Sequence, residues 1–143
     1  VTRATVAAVL WRMGGSPAPA GACTFSDVPA GSWYAQAVAW AQQAGVAQGD
    51  GSGCFNPEQA VSRQELAVFL TRYDLTRGTN LAQGALNLFS DATDISEWAQ
   101  EGVAHAVGMG WLEGSDGYIT PQGNASRAQL AQILQRMLTP AAG

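Results

Sequence analysis

The sequence predicts an all-α fold, with helical repeats around a central three-helix bundle that is pseudo-threefold and incomplete at the N-terminus. Three observations carry this. One segment is written three times, as VTRATVAAVLWRM (Val1 to Met13), VSRQELAVFLTRY (Val61 to Tyr73) and ASRAQLAQILQRM (Ala125 to Met137). The second and third copies each follow another shared segment, running from Phe25 to Pro57 and from Phe89 to Pro121. Within the first segment the apolar residues recur at i, i+3, i+4 and i+7, the stripe of an amphipathic helix. The copies lie about 60 to 64 residues apart, and a fixed period of this kind means one supersecondary unit repeated. Val1 falls in the middle of a unit. The expected division is the C-terminal helix of a truncated repeat plus connector (1–22), then two complete repeats (23–74 and 75–143).

The thrice-repeated helix carries stripes of Val6, Val9, Leu10 and Met13, of Leu66, Phe69, Leu70 and Tyr73, and of Leu130, Ile133, Leu134 and Met137. Ala7, Ala67 and Ala131 widen each stripe and allow close helix approach. Thr2, Ser62 and Ser126 are hydroxyl N-caps. Glu65 and Gln129 stand three residues on and complete capping boxes, while Thr5 leaves the first box incomplete. The other segment opens with Phe-Ser-Asp, an aromatic-led turn. Helices follow from about Ser32 to Ala44 and from about Ser96 to Met109. They stop at Gly45 and Gly110, residues suited to the left-handed position after a helix. A Gly/Asp-rich loop then leads to Phe55-Asn56-Pro57 or Ile119-Thr120-Pro121. Residues 14–22 form an irregular connector. Its longer counterpart, 74–88, is expected to extend the preceding helix at first. None of these helices can bury its apolar face alone, so the units must pack together.

Composition narrows the function classes. Apolar residues are 47% of the 143, which marks a globular chain. No apolar run approaches the roughly 18 residues of a membrane span, so no membrane insertion is expected. No signal peptide and no initiator Met are visible, and the chain reads as a fragment or mature piece. The net charge is -4, with seven arginines and no lysine. Non-specific binding to nucleic acid needs dense positive charge, so no nucleic-acid partner is expected. An anion would be held by a few placed arginines. His105 is the single histidine and lies mid-helix, in the repeat position of Trp40. No catalytic constellation, cofactor motif or metal site is read. The loops around Asp50 and Asp116 lack the ligand count of a calcium loop and read as tight turns.

Cys23 and Cys54 occur in one repeat, and their equivalents in the other are Asn87 and Tyr118. Joint presence and joint absence suggest a disulfide, contributing roughly 3–4 kcal/mol in the chain-entropy view and implying an oxidising, extracytoplasmic setting. The alternative is two buried free thiols.

Arg3, Arg63 and Arg127 occupy the first helical position in all three copies, where a helix end is already positive. Free N–H groups plus a guanidinium make a receptor for a carboxylate or phosphate. The alternative is an ion pair with Asp27, Glu58 or Asp91 that holds units together. Arg12, Arg72 and Arg136 recur in the last helical turn and read as structural. Trp33 and Trp98 begin the outer helices and are candidate sugar platforms, although a repeated Trp is more often core.

The ordered set of features resembles the S-layer homology domain. It comprises Phe-Ser-Asp-Val at 25–28, Trp33-Tyr34, Ala-Val-x-x-Ala at 37–41, Gly45, Gly49 and the Phe55-x-Pro57 turn. Thr-Arg-Ala at 2–4 and its relatives at 62–64 and 126–128 complete it. The resemblance covers nearly the whole chain. Where the family has Thr-Arg-Ala-Glu, this chain reads TRAT, SRQE and SRAQ, so the arginine is kept three times and the glutamate only as Glu65. The resemblance implies a non-catalytic module that anchors an exported surface protein to the bacterial wall. Its expected partner is pyruvylated secondary cell-wall polysaccharide, bound in grooves between repeats through Arg63, Arg3, Arg127, Glu65, Trp33 and Trp98. It implies an extracellular, cell-wall location, with self-association through the incomplete repeat as a further expectation. The rival expectation is a structural, self-assembling or host-protein-binding module that has lost glycan binding.

Overall fold

A computed structural model describes residues 1–21, 23–49 and 51–138. It is all-α: five α-helices, α1 (Arg3–Met13), α2 (Ala35–Ala44), α3 (Arg63–Thr76), α4 (Gln100–Gly108) and α5 (Arg127–Leu138), and three short 3₁₀ turns. Among the described residues extended pairing is limited to isolated bridges.

The helices start where the hydroxyls stand. Thr2 Oγ1 accepts from the Thr5 N–H at 3.2 Å, Ser62 Oγ from the Glu65 N–H at 3.2 Å and Ser126 Oγ from the Gln129 N–H at 3.1 Å. Each cap of this type contributes about 1 kcal/mol. The last box is reciprocal, since the Ser126 N–H donates to Gln129 Oε1 at 3.1 Å. In the first copy the Thr2 and Thr5 hydroxyls meet each other at 2.9 Å instead. α3 runs to Thr76, three residues past the equivalent end of α1, as the proline-free connector suggested.

The outer helices begin later than the pattern implied. The chain first makes a tight turn in which Ser32 returns both N–H and Oγ to the Pro29 carbonyl (3.0 and 2.7 Å), and α2 opens only at Ala35. In the last repeat a 3₁₀ turn at Glu97–Ala99 precedes α4. Gly45 (φ 77°) and Gly110 (φ 78°) take the left-handed conformation expected of them, which a Cβ would disfavour.

The chain divides into two compact units. One comprises Val1–Ala60 with Arg72–Thr79, the other Val61–Thr71 with Asn80–Gly143. In the first unit α1 packs on α2. Ala4, Ala7, Ala8, Ala37, Ala39 and Ala41 are all buried, so the two backbones approach closely, and Val6, Leu10, Val38, Val46 and Phe55 fill the core. In the second unit the start of α3 meets α4 at Gly102, where a Cβ would lie 2.9 Å from Val68 Cα. Thr71 Oγ1 donates to the Gly102 carbonyl there at 3.0 Å. Leu66, Leu70, Val103 and Ile119 form the core of this unit.

Each unit closes by the same device, in which the start of a helix docks on the turn of the following repeat. The N–H groups of Arg3 and Ala4 donate to the carbonyls of Gln59 (2.9 Å) and Pro57 (3.0 Å). Those of Arg63 and Gln64 donate to Gly123 and Pro121, both at 2.8 Å. This is why the compact units straddle the sequence repeats.

The expected disulfide is not formed: Cys23 and Cys54 are separate, half-buried thiols. The chain beside Cys23 is committed to α2. The Thr24 N–H donates to Gln42 Oε1 at 3.0 Å, and Gln42 Nε2 donates to Thr24 Oγ1 at 2.7 Å. Cys54 Sγ instead faces Ser26 Oγ at 3.8 Å. Two cysteines sharing a repeat are therefore held by different neighbours. Asp50, one of the two loop aspartates, lies outside the described residues.

The turn after each loop places one residue at positive φ: Asn56 at 60° and Thr120 at 52°. Asn tolerates this region, whereas a β-branched residue there is a true outlier. Thr120→Asn, which installs the residue of the other repeat, is expected to stabilise the second unit by about 1 kcal/mol, the lower end of the strain stored at such sites. Urea unfolding measures it, and an unchanged or lower midpoint contradicts it.

Candidate functional site

The aspartate of each Phe-Ser-Asp turn organises the turn that follows the loop. Asp27 accepts from the N–H groups of Phe55 and Asn56, both at 2.8 Å, and Asp91 from those of Ile119 and Thr120, both at 2.9 Å. With the turn fixed, its carbonyls face the repeated arginine. Arg3 Nε donates to the Phe55 carbonyl at 2.7 Å and Nη2 to Gln48 at 2.8 Å, with the guanidinium 4.7 Å above the Phe55 ring. Arg63 repeats the grip on the equivalent carbonyls of Ile119 (2.9 Å) and Glu113 (3.1 Å).

These bonds correct one expectation. At α1 and α3 the first two helical N–H groups are not open to an anion, because turn carbonyls already accept from them. That leaves the guanidinium as the group there able to meet an anion. Arg63 uses Nε and Nη2 on the loop and keeps Nη1 uncommitted among the described residues. At α5 the Arg127 and Ala128 N–H groups meet no partner among the described residues, and Arg127 is exposed.

Burial holds the Arg63 guanidinium below the usual arginine value, against the opposing pull of Asp91. Desolvation raises the Asp91 carboxyl. The N–H donors of Ile119, Thr120 and Asp91 itself, together with the Arg63 charge, outweigh it and leave Asp91 below the ordinary aspartate value. A depressed carboxyl stabilises the fold above its unfolded pKa of about 3.9, and that stabilisation is lost as pH falls through the folded value. The stability difference between wild type and Asp91→Asn is therefore expected to be constant near neutrality and to shrink below about pH 4. Urea midpoints across pH test this, and a difference that grows on acidification contradicts it.

Arg63 opens onto a cavity of about 410 Å³ within the second unit. Arg136 forms part of its wall, donating to the Trp111 carbonyl at 2.9 Å and pairing with Glu113 at 3.4 Å. Asn124, Gln129 and Gln132 supply carboxamides, and Ser115, Tyr118 and Thr120 supply hydroxyls. The lining thus holds two guanidiniums and one carboxylate, that of Glu113, amid neutral donors and acceptors and an exposed Tyr118. This lining suits an anion carried on a polar, ring-shaped ligand, with carboxylate or phosphate on the guanidiniums and hydroxyls on the amides.

The other expected site residues are placed as follows. Glu65 is half-buried on the first turn of α3. Trp33 and Trp98 are 64% and 60% exposed, so neither is core. Trp33 stands edge-on to Tyr34 at 5.1 Å, and Trp98 is not among the residues around the Arg63 cavity. The place of Arg136 in the cavity wall was not foreseen, although it recurs in register with Arg12 and Arg72. Its position in the last helical turn has a sufficient explanation in the helix dipole, and that explanation pointed to no cavity.

The S-layer homology domain matches the chain twice, at residues 24–67 and 88–131, the two complete repeats. An amylopullulanase of Thermoanaerobacterium thermosulfurigenes is 34% identical over 96% of this chain but only 8% of its own length. The exoglucanase XynX of Acetivibrio thermocellus is 31% identical over 96% of this chain and 13% of its own length. The surface-layer 125 kDa protein of Lysinibacillus sphaericus is 28% identical over 82% of this chain and 10% of its own length. The chain thus spans a small part of each relative, and it is matched alike by an amylopullulanase, an exoglucanase and a surface-layer protein. With matches covering both complete repeats, the chain belongs to the S-layer homology domain family.

Proposed function

We propose that this chain is a non-catalytic anchoring module of an exported bacterial surface protein. It binds anionic, pyruvylated secondary cell-wall polysaccharide in the groove where the start of one repeat's helix meets the loop and turn of the next. Domains of this family occur in surface and S-layer proteins and anchor them to the cell wall. Enzymes among its relatives match it over only 8–15% of their length, which fits an anchor attached to a separate catalytic region. No helix of the described residues is long and apolar enough to cross a membrane. The observation that carries the reading is the cavity in which Arg63 and Arg136 converge among carboxamides and hydroxyls. A ketal carboxylate on a sugar suits that lining. Trp33 and Trp98, exposed at equivalent positions, would give further contact to sugar faces. Weak binding at each groove would be offset by several acting together.

One observation favours a second reading, that of a structural or self-assembling module: Arg3 and Arg63 each already grip two loop carbonyls. Pull-down with purified wall polysaccharide against purified peptidoglycan separates the two. Anchoring predicts retention of the polysaccharide and not of the peptidoglycan. Retention of neither contradicts anchoring and favours self-assembly.

A further inference from the structure

The two complete repeats treat one helical position in opposite ways. In the last repeat it is His105, which is fully buried. Its own connector seals it: the Ala82 N–H donates to His105 Nδ1 at 2.8 Å and the Gly84 N–H to the Ala104 carbonyl at 2.9 Å. In the other repeat the position is Trp40, and the connector is anchored elsewhere. Trp11 Nε1 donates to the Pro17 carbonyl at 2.8 Å. Gln43 holds Ala20 and Gly21, with its Oε1 accepting at 2.7 Å and its Nε2 donating at 2.9 Å. Trp40 is thereby left half-exposed.

It forms one wall of a cleft of about 330 Å³ within the first unit, with Met13, Gly14, Tyr73, Thr76 and Arg77. Trp40 and Tyr73 meet edge-to-face, 6.2 Å apart with their planes at 64°, making an aromatic corner. The exposed Arg77 lies over the Tyr73 ring at 5.8 Å and touches the Tyr73 hydroxyl through Nη1 at 3.3 Å. Among the described residues its Nε and Nη2 donors have no acceptor. An indole face beside a guanidinium with open donors is complementary to a sugar ring that carries a carboxylate. The ring stacks on the indole, and the carboxylate takes the planar fork.

We propose that this cleft is a separate binding site for an acidic saccharide, present in the first complete repeat and closed in the last. It does not depend on the Arg63 cavity. The site gives the chain an anionic-sugar contact that the repeat symmetry does not multiply.

The test is NMR titration of the ¹⁵N-labelled chain with D-glucuronate and, separately, D-glucose. The Trp40 indole signal is assigned with Trp40→Phe. The proposal expects glucuronate to move the Trp40 indole signal well before glucose does. Arg77→Gln, at an exposed position, should weaken glucuronate binding by about tenfold or more and erase the preference over glucose. Arg63→Gln should leave the Trp40 response unchanged, which separates this site from the groove proposed above. A Trp40 signal that glucuronate does not move overturns the proposal. So does an unaltered response in Arg77→Gln, or a response abolished by Arg63→Gln.

Discussion

Phe55→Ala is expected to destabilise the first unit by about 3–5 kcal/mol, the range for removing a buried phenyl ring. The ring is wholly buried and packs against Phe25 at a centroid distance of 5.4 Å. It also lies under the Arg3 guanidinium at 4.7 Å. The backbone around it is pinned by Asp27 and by Arg3 itself, so the cavity cannot collapse freely. A loss of this size is a large fraction of the roughly 5–15 kcal/mol that holds a typical domain folded. Urea unfolding followed by tryptophan fluorescence measures it. A loss below about 1 kcal/mol, the net worth of a single hydrogen bond, would mean that the ring is not the keystone of the turn.

The second large effect is on binding. Arg63→Ala is expected to remove the proposed charge-assisted contact to the wall polysaccharide, a loss of roughly 1.5–3 kcal/mol, or about 10- to 150-fold in affinity. It also frees the Ile119 and Glu113 carbonyls, so the comparison is made at a temperature where wild type and variant are equally folded. Arg63→Lys keeps the charge but loses the planar fork, and is expected to bind worse than wild type as well. Arg136→Gln supplies an independent arm, because its partners are Trp111 and Glu113 rather than the turn. Equal binding by all of these variants would make the two arginines structural clamps.

Much of the fold was legible because its signals are local. Hydroxyls at Thr2, Ser62 and Ser126 and glycines at Gly45 and Gly110 declare helix ends whatever surrounds them. The docking of α1 and α3 on the following turn was not legible, since it runs through the backbone carbonyls of Pro57, Gln59, Pro121 and Gly123, which leave no side-chain signature. That docking also overturned the idea of open helix ends as anion receptors at Arg3 and Arg63. The cysteines misled for a related reason. Shared presence in one repeat says nothing of which way each chain segment is held, and Gln42 and Ser26 decide that. The repeated arginine could be read from register, as could the two exposed tryptophans, which lie outside the Arg63 cavity. The convergence of Arg136 with Arg63 needed the path of the last loop. The exchange of Trp40 for His105 was visible as a break in the repeat, but its meaning depends on where each connector runs.

Recognition of a carboxylate-bearing wall glycan by guanidinium groups is the centre of the proposed function. Calorimetric titration of the chain with purified wall polysaccharide, intact and with its carboxylates converted to amides, tests this most directly. Binding to the intact polymer and loss of measurable binding to the amidated one is the predicted result. Equal affinity for the two polymers would contradict it.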